Sequence, residues 1–549
     1  MNAVAPGSLT LPAWFSSVPP MQQELHFDNR NLRCFNERPR SVYELLRDAV
    51  AKRPDGDGVV DGSLRLSWCD VKLRADDLAR GLVRRGVQSG DRVGLLMGNR
   101  AEFVITVFAL ARLGAVCVPV GTRSQPDEIA YALEDSSACA VIADEDMVSR
   151  MPAAHEVPRL RLRISLSPHP DWSTCDDLLA AAKLDAPAPE FAGNEEETAF
   201  ILYTSGTTGR PKGAMLTHLN VVHSALHYET CMGLGPLDRS IVAVPMSHVT
   251  GLVAQLLAIV RCAATLLVMP VFKVEKFLEL GQLERITHTL MVPAMYNLCV
   301  ARGDFGAWDL TSWRIGAFGG APMPPATIDT LGNSLPDLVL MNAYGATETA
   351  SPVSMMPPGQ TNAHADSVGQ PVPCADILVV DLQGEPVPAG QSGEIWIRGP
   401  MVVKGYWNNP QATAVSITEG YWHSGDIGRF DTAGFLYVLD RLKDVINRGG
   451  YKVYSSEVEA VLAAHPLVIE AATVGRPCPM LGERVHAFVV VREGLDAQTL
   501  KNFCATRLSD YKVPETFTFS DIPLARNPNG KLLKKPLRET ARKIFSDDR

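Results

Sequence analysis

The sequence has no C-x-x-C pair. Its eleven cysteines, an odd number, are scattered from Cys34 to Cys504. Such spacing argues against a zinc cluster or a disulfide framework and fits buried free thiols in a reducing compartment. It also lacks an excess of positive charge. With 52 Lys and Arg against 61 Asp and Glu, the net charge is −9 at pH 7, whereas general nucleic-acid binding needs a basic face. The N-terminus, "MNAVAPGSLTLPAWFSSVPP", has no charged n-region and its apolar run is broken by prolines, so it reads as an arm and not as a signal peptide. There is no internal repeat and no low-complexity tract. One apolar stretch, Val249 to Val271, is long enough to span a bilayer. It is interrupted by Gln255 and Arg261, however, and "GLVAQLLAIV" has helix composition while "TLLVMPV" has strand composition. A buried helix followed by a buried strand is expected there, not an integral membrane segment. The C-terminal "SDDR" is no peroxisomal address, and the expected location is the cytoplasm.

What is present is a globular chain, 46% apolar and 21% charged, whose 549 residues exceed what one compact core holds. From Ser41 to Asp144, helix-like pieces ("SVYELLRDAVAKR", "AEFVITVFALARLG", "PDEIAYALEDS") alternate with short apolar strands ("AVCVPV", "ACAVIAD"). This is the pattern of βαβ units around parallel sheet covered on both faces. A similar rhythm continues to about Tyr344, and Ile377 to Tyr437 then reads as short antiparallel hairpins. After Asp440 a charged stretch opens an α+β piece of typical small-domain size. The predicted organisation is therefore an α/β chain. It has an N-terminal arm (1–37), a large domain of βαβ-layered parallel sheets with an antiparallel β subdomain (38–440), a hinge (441–444) and a small mobile α+β domain (445–549).

Chemistry concentrates in "ILYTSGTTGRPKGAML", where an apolar strand breaks into hydroxyls, glycines and a lysine. Clustered Gly, Ser and Thr let backbone amides and hydroxyls approach phosphate oxygens, and a lysine adds a point charge. The loop is not a Walker A motif, because Pro211 stands where the second glycine should be and Gly213 where Ser or Thr should be. No helix follows directly either. "AMLTH" looks extended, and Thr217 is a good N-cap for "HLNVVHSALHYE". The phosphate grip is expected in a hairpin-like loop between strands.

Residues 204–213, T-S-G-T-T-G-x-P-K-G, resemble the signature loop of the adenylate-forming superfamily, which comprises acyl-CoA synthetases, aryl-CoA ligases, firefly luciferase and peptide-synthetase adenylation domains. Further motifs follow in the family's order: "MSHVTGL", "FGGAPMP", "NAYGATET", "YWHSGDIG", "RLKD", "RGGYKVYSSEVE" and "NPNGKLLK". The resemblance implies that Thr204, Ser205, Gly206, Thr207, Thr208, Gly209 and Lys212 grip the phosphates of ATP. It implies that Gly320, Ala321, Pro322, Asn342, Ala343, Tyr344, Gly345 and Thr347 line the nucleotide, with Tyr344 packed on adenine. Thr204 and Glu348 would serve Mg²⁺, a hard ion that suits hydroxyl and carboxylate oxygens. Asp426 and Arg441 would hold the ribose, and Lys531 would contact the reacting carboxylate and the α-phosphate. The acyl pocket would be lined by His248, Val249, Gly251, Phe318, Gly319, Gly320, Gly345 and Ala346, with His248 beside the pantetheine tunnel. Gly449, Gly450 and Tyr451 would meet coenzyme A, and Lys443 would be the hinge. Lys531, Lys212, Glu348 and His248 are the catalytic candidates. Ser424 replaces a more frequent threonine. Ser455 stands where many relatives have proline and Asn447 where some have an active lysine, so no direct role is carried onto either.

The activity this implies is ATP- and Mg²⁺-dependent activation of a small-molecule carboxylic acid to an acyl-adenylate, then transfer to coenzyme A. The pocket stretches carry no Lys or Arg, so an uncharged tail is expected, medium-chain aliphatic or aromatic. "PMSHVTG" offers no aspartate for an amino-acid ammonium. The alternatives are an acyl-AMP ligase that loads a carrier protein, and an ATP sensor on the same scaffold, which would not need the lysine and Glu348. Dimers are common in the family, so a homodimer is a further expectation.

Overall fold

The structure is a computed structural model that describes residues 18–182, 189–204, 210–526 and 532–545. It divides into two compact units. One holds the described residues up to Ile377 together with Ile397–His423 and Ala433–Leu436. The other holds Leu378–Trp396, Ser424–Thr432 and the described residues from Tyr437 onward.

The first unit contains two large sheets, as the βαβ rhythm predicts. A seven-stranded sheet runs in the order Lys212–Thr217, Thr198–Thr204, Val116–Pro119, Arg92–Leu96, Ala140–Ala143, Leu162–Ser165 and Ser173–Thr174. It is parallel except for its end strand Lys212–Thr217, which turns back antiparallel on Thr198–Thr204. A nine-stranded sheet is parallel through Val339–Ala346, Ile315–Gly319, His288–Met291, Arg239–Val242, Thr265–Val268 and Asp57–Asp61, with antiparallel strands at both edges. Its central strands are buried on both faces, which explains their nearly unbroken apolar runs. The helices Val274–Leu283, Pro293–Arg302 and Pro325–Ser334 contribute Phe277, Tyr296, Ile328 and Leu331 to a core with Met291, Trp313 and Phe318. A five-stranded sheet of short strands between Asp376 and Arg441 falls mostly in the second unit.

In the second unit the strand order is Tyr451–Val453, Ile446–Arg448, Gly482–Val491 and Val468–Cys478, and Thr516–Ser520 lies parallel to Gly482–Val491. The helices Ser455–Ala463 and Ala497–Ala505 seal a core of Val453, Val458, Leu462, Val485, Val489 and Leu500.

Local sequence signals are obeyed closely around the hairpin. Thr217 caps the helix His218–Met232, its hydroxyl accepting from the Asn220 amide at 3.2 Å. The helix ends at Gly233 in the left-handed region, φ 57°. The apolar stretch after Val249 is helix and then strand, as expected, but its first part is a π-helix, Thr250–Leu257, ahead of Ala258–Arg261 and strand Thr265–Val268. Composition carries no signal for i→i+5 bonding. A packing constraint is visible, since a Cβ on Gly251 would sit 2.3 Å from the Pro245 carbonyl oxygen. Among the described residues no helix is long and apolar enough to cross a membrane. All eleven cysteines are free, and only Cys69 and Cys175 escape full burial.

Residues 21–35 of the expected arm form an antiparallel hairpin. There Glu24, His26 and Cys34 gather close enough to suggest a metal site. Arg38, however, donates to both Glu24 carboxylate oxygens at 2.8 and 2.6 Å, and burial pushes the Cys34 thiol up to about 12. The group is an ion-pair network with a neutral thiol beside it.

Asn220 ties the capped helix to the turn that follows strand Gly393–Arg398. Its buried amide donates to the carbonyls of Pro400 and Val402 at 2.7 and 2.9 Å. Asn220→Ala leaves both acceptors without that donor and should destabilise the larger unit by about 3 kcal/mol. Urea unfolding followed by tryptophan fluorescence checks this, and a loss under about 1 kcal/mol would contradict the assignment.

Candidate active site

The hairpin brings the two ends of the signature loop together, with Tyr203 opposite Gly213 and Thr204 opposite Lys212. Ser205, Gly206, Thr207, Thr208 and Gly209 lie outside the described residues, so the structure bears on the loop through its two ends. From one end, the Thr204 hydroxyl donates to Glu348 Oε1 at 3.2 Å. At the other, Lys212 Nζ sits 5.0 Å from the centre of the Tyr406 ring. The Tyr406 hydroxyl donates to the same Glu348 oxygen at 3.1 Å. Two stretches far apart in the chain, the hairpin and the loop of Tyr406, thus donate to one carboxylate. Burial, with Glu348 second, holds the Tyr406 hydroxyl well above its ordinary range, so it remains protonated as a donor.

Glu348 is aimed by an unusual turn. Strands Ile315–Gly319 and Val339–Ala346 run parallel, pairing Phe318 with Asn342 and Gly319 with Ala343. "FGGAPMP" and "NAYGATET" therefore emerge side by side at the carboxyl ends of parallel strands, where open α/β sheets place their ligands. The second strand bulges at Tyr344/Gly345, and a Cβ on Gly345 would lie 1.7 Å from the Ser351 carbonyl oxygen. After the single turn Thr347–Thr349, Ala350 and Ser351 both adopt positive φ, 46° and 101°. Non-glycine residues held there cost of order 1–3 kcal/mol each. Three contacts retain the turn. Thr349 Oγ1 accepts from the Ala346 amide and donates to the Ser351 carbonyl, both at 2.9 Å, and Ser351 Oγ meets the Tyr228 hydroxyl at 2.8 Å.

The other candidates in this unit fall as follows. Gly320, φ 81°, Ala321 and Pro322 are exposed just past the strand end. Asn342 is buried, donating to the Ser367 carbonyl at 3.2 Å, while Tyr344 and Thr347 are half-buried. The Phe318 ring is 1% exposed and belongs to the core, so this residue offers backbone and not ring to a pocket. Gly251 is buried under the Pro245 carbonyl. His248 and Val249 are half-buried, and burial lowers the affinity of the His248 imidazole for a proton. It is neutral at pH 7 and offers an apolar edge and one acceptor nitrogen.

In the second unit, Asp426 is 7% exposed and pairs with Arg441, Oδ1 to Nε, at 3.1 Å. Ser424 does local work here, because its Oγ accepts from the Asp426 amide at 3.0 Å and donates to the Ile395 carbonyl at 2.7 Å. The segment after Arg441 is a tight turn in which the Asp444 amide donates to the Arg441 carbonyl at 2.8 Å. Arg538 grips its apex through the Lys443 carbonyl at 2.9 Å. Burial depresses the Lys443 ammonium. Gly449 and Gly450 both have positive φ, 59° and 90°, and exposed Tyr451 stacks on Tyr511 with centroids 4.6 Å apart. Ser455 is structural. Its amide and hydroxyl both donate to Asp440 Oδ2, at 2.5 and 2.7 Å, and Lys534 donates to its Oγ at 2.6 Å. A proline there could not donate its nitrogen. Lys531 lies outside the described residues.

Tyr406 is the functional candidate that the sequence reading missed. Its only local signal was the aromatic pair in "KGYWNNP", with nothing to connect it to Lys212 or Glu348.

Oxygen ligands beside a cation, held at the mouth of parallel strands, suit a magnesium-bound nucleotide; the fold and site together define a nucleotide-binding α/β enzyme. Sequence comparison agrees. Residues 46–407 match the model of the AMP-binding enzyme family, and residues 457–531 match the AMP-binding enzyme C-terminal domain. A long-chain-fatty-acid–CoA ligase of Mycobacterium tuberculosis is 34% identical over 507 residues, covering 91% of this chain and 98% of the relative. A feruloyl-CoA synthase of an Amycolatopsis species is 34% identical over 488 residues, covering 88% and 96%. Among solved structures, o-succinylbenzoate CoA synthetase of Bacillus subtilis, 29% identical, superimposes with a TM-score of 0.81 in complex with its acyl-adenylate intermediate and covers 91% of this chain and 98% of that one. Its complex with ATP and a magnesium ion gives 0.79, again at 29% identity, with 91% and 99% covered. The chain belongs to the AMP-binding enzyme family, the adenylate-forming group that its signature loop resembles.

Tyr406→Phe keeps the ring under Lys212 and removes one hydrogen bond to a charged acceptor, worth about 1.5–3 kcal/mol. The Mg²⁺ concentration giving half-maximal ATP–pyrophosphate exchange should rise about tenfold or more. An unchanged magnesium titration would sever Tyr406 from Glu348's function.

Proposed function

We propose that this chain is an AMP-forming acid–CoA ligase. The observation that carries the reading is the convergence of Thr204 and Tyr406 on Glu348 beside Lys212. A carboxylate is a poor acyl donor because its oxygen is a poor leaving group. One carboxylate oxygen therefore attacks the α-phosphorus of ATP. The bond to the β-phosphate oxygen breaks, and pyrophosphate leaves an acyl-adenylate. The coenzyme A sulfur, its proton lost to solvent or a base, then attacks the carbonyl carbon, and AMP departs with the former carboxylate oxygen.

The protein's task in the first step is to gather anions, so catalysis is mainly charge neutralisation and positioning. Lys212 and Lys531 supply cations, and the loop from Thr204 to Gly209 supplies amides and hydroxyls. Glu348 with Thr204 would hold Mg²⁺, which when bound would supply positive charge to the phosphate oxygens. Tyr344 offers a face for adenine, and the Asp426–Arg441 pair has the chemistry for ribose hydroxyls. Gly449 and Gly450 present bare backbone to pantetheine. On this reading the large AMP-binding domain is 38–440 and the small domain 445–549, with Lys443 the hinge between the two half-reactions.

The acid has an uncharged tail, aliphatic or aromatic. Neutral His248 and the apolar stretches around it support this, as do relatives named for fatty and hydroxycinnamic acids. The same reading makes the enzyme cytoplasmic, independent of nucleic acid and homodimeric.

A panel of carboxylic acids with ATP and Mg²⁺ tests the activity. Pyrophosphate should be released in a single turnover without coenzyme A, and turnover should continue only when coenzyme A is added. Continued turnover with an acyl carrier protein and none with coenzyme A would reassign the chain as a carrier-loading ligase. Lys443→Pro should spare adenylate formation and abolish thioester formation, and equal loss of both would refute the hinge.

A further inference from the structure

Lys212 is preceded by Pro211, which has no amide hydrogen and lies just beyond the last pair of the hairpin, Thr204 opposite Lys212. The ladder ends at Lys212, and the helix Pro126–Asp135 holds the peptide just before it. The Tyr131 hydroxyl donates to the Pro211 carbonyl at 2.9 Å. The Arg210 guanidinium lies 5.9 Å over the Tyr131 ring. That ring meets Tyr203 edge-on, with centroids 5.8 Å apart and planes at 74°. One turn further on, Asp135 Oδ2 accepts from the Tyr203 hydroxyl at 2.7 Å. The Asp135 carbonyl accepts from Trp407 Nε1 at 3.1 Å, and the Trp407 amide donates to the Gly213 carbonyl at 2.7 Å. One helix face thus grips both arms of the hairpin, at Tyr203 just before Thr204 and at Pro211 just before Lys212.

We propose that Tyr131 is a positioning residue for the adenylate-forming step, placing the Lys212 ammonium through its hydrogen bond to the Pro211 carbonyl. The inference rests on the ligase reading above and adds to it a residue outside the signature loop. Tyr131 touches no reacting atom. Its hydroxyl fixes the peptide from which Lys212 extends, so its loss lets the cation wander while the ring contacts with Arg210 and Tyr203 keep the fold.

The test is Tyr131→Phe in the full-length enzyme, alone and combined with Lys212→Met. One hydrogen bond of ordinary strength predicts about a fivefold fall in ATP–pyrophosphate exchange, with a raised KM for ATP and a melting temperature lowered by no more than about 2–4 °C. Thioester formation from supplied acyl-adenylate and coenzyme A should run at the wild-type rate. In the Lys212→Met background, adding Tyr131→Phe should cost nothing more. Equal loss in both half-reactions, a further loss on top of Lys212→Met, or wild-type exchange in Tyr131→Phe would overturn the proposal. Full exchange activity in Lys212→Met alone would remove the underlying reading of the hairpin, and this inference with it.

Discussion

A single carboxylate organises the site. Glu348 accepts from Thr204 on one side and from Tyr406 on the other, and Lys212 lies over the Tyr406 ring. A carboxylate in a partly buried place is costly unless its oxygens find donors. Here the donors come from strand ends far apart in the chain. Satisfying Glu348 thus fixes the mutual placement of the hairpin, the Thr347–Thr349 turn and the loop that carries Tyr406. The hydroxyls satisfy the charge without neutralising it, leaving negative charge for a divalent cation.

The turn carrying Glu348 is a strained part of the larger unit. Its bulge at Gly345 leaves no room for a side chain, and Ala350 and Ser351 sit where L-residues are disfavoured. Hydrogen bonds within the turn, and one from the helix His218–Met232, oppose this strain. It persists because Thr349, Ser351 and Tyr228 overdetermine the backbone with hydrogen bonds, a pattern associated with sites that need rigid donors and acceptors. The smaller unit uses a different device. A buried polar chain from Asp440 through Ser455 to Lys534 and on to Glu459, whose carboxyl is pushed up by burial, joins strand Leu436–Arg441 to the helices Ser455–Ala463 and Lys534–Ile544. Fully paired polar networks of this kind specify one arrangement.

Much of this was legible beforehand, for identifiable reasons. Thr217 as a cap, Gly114 as a helix terminator and the hairpin after Tyr203 follow from short-range chemistry: a hydroxyl for an orphan amide, a residue free to take positive φ, a proline ending a ladder. The alternation from Ser41 to Asp144 became parallel sheet because strands buried on both faces must be apolar throughout. The π-helix at Thr250 had no such signal, and neither did the core position of the Phe318 ring, since strand alternation does not say which face meets which layer. Tyr406 and Tyr131 went unread because an isolated tyrosine in a loop or on a helix is usually a surface residue. Only proximity to Glu348 and Pro211 makes these two informative.

By itself, then, the order of amino acids determined the elements, the family and the kinds of chemistry available, because caps, turns and burial patterns act over a few residues. Tertiary structure alone decided which hydroxyls share an acceptor oxygen, which lysine meets which ring and which helix steadies the phosphate hairpin. Those contacts join residues as far apart as 131 and 211 or 204 and 348. Hydrogen bonds reach only about 3 Å, so the partners of a side chain exist only once the sheets have brought distant strand ends together.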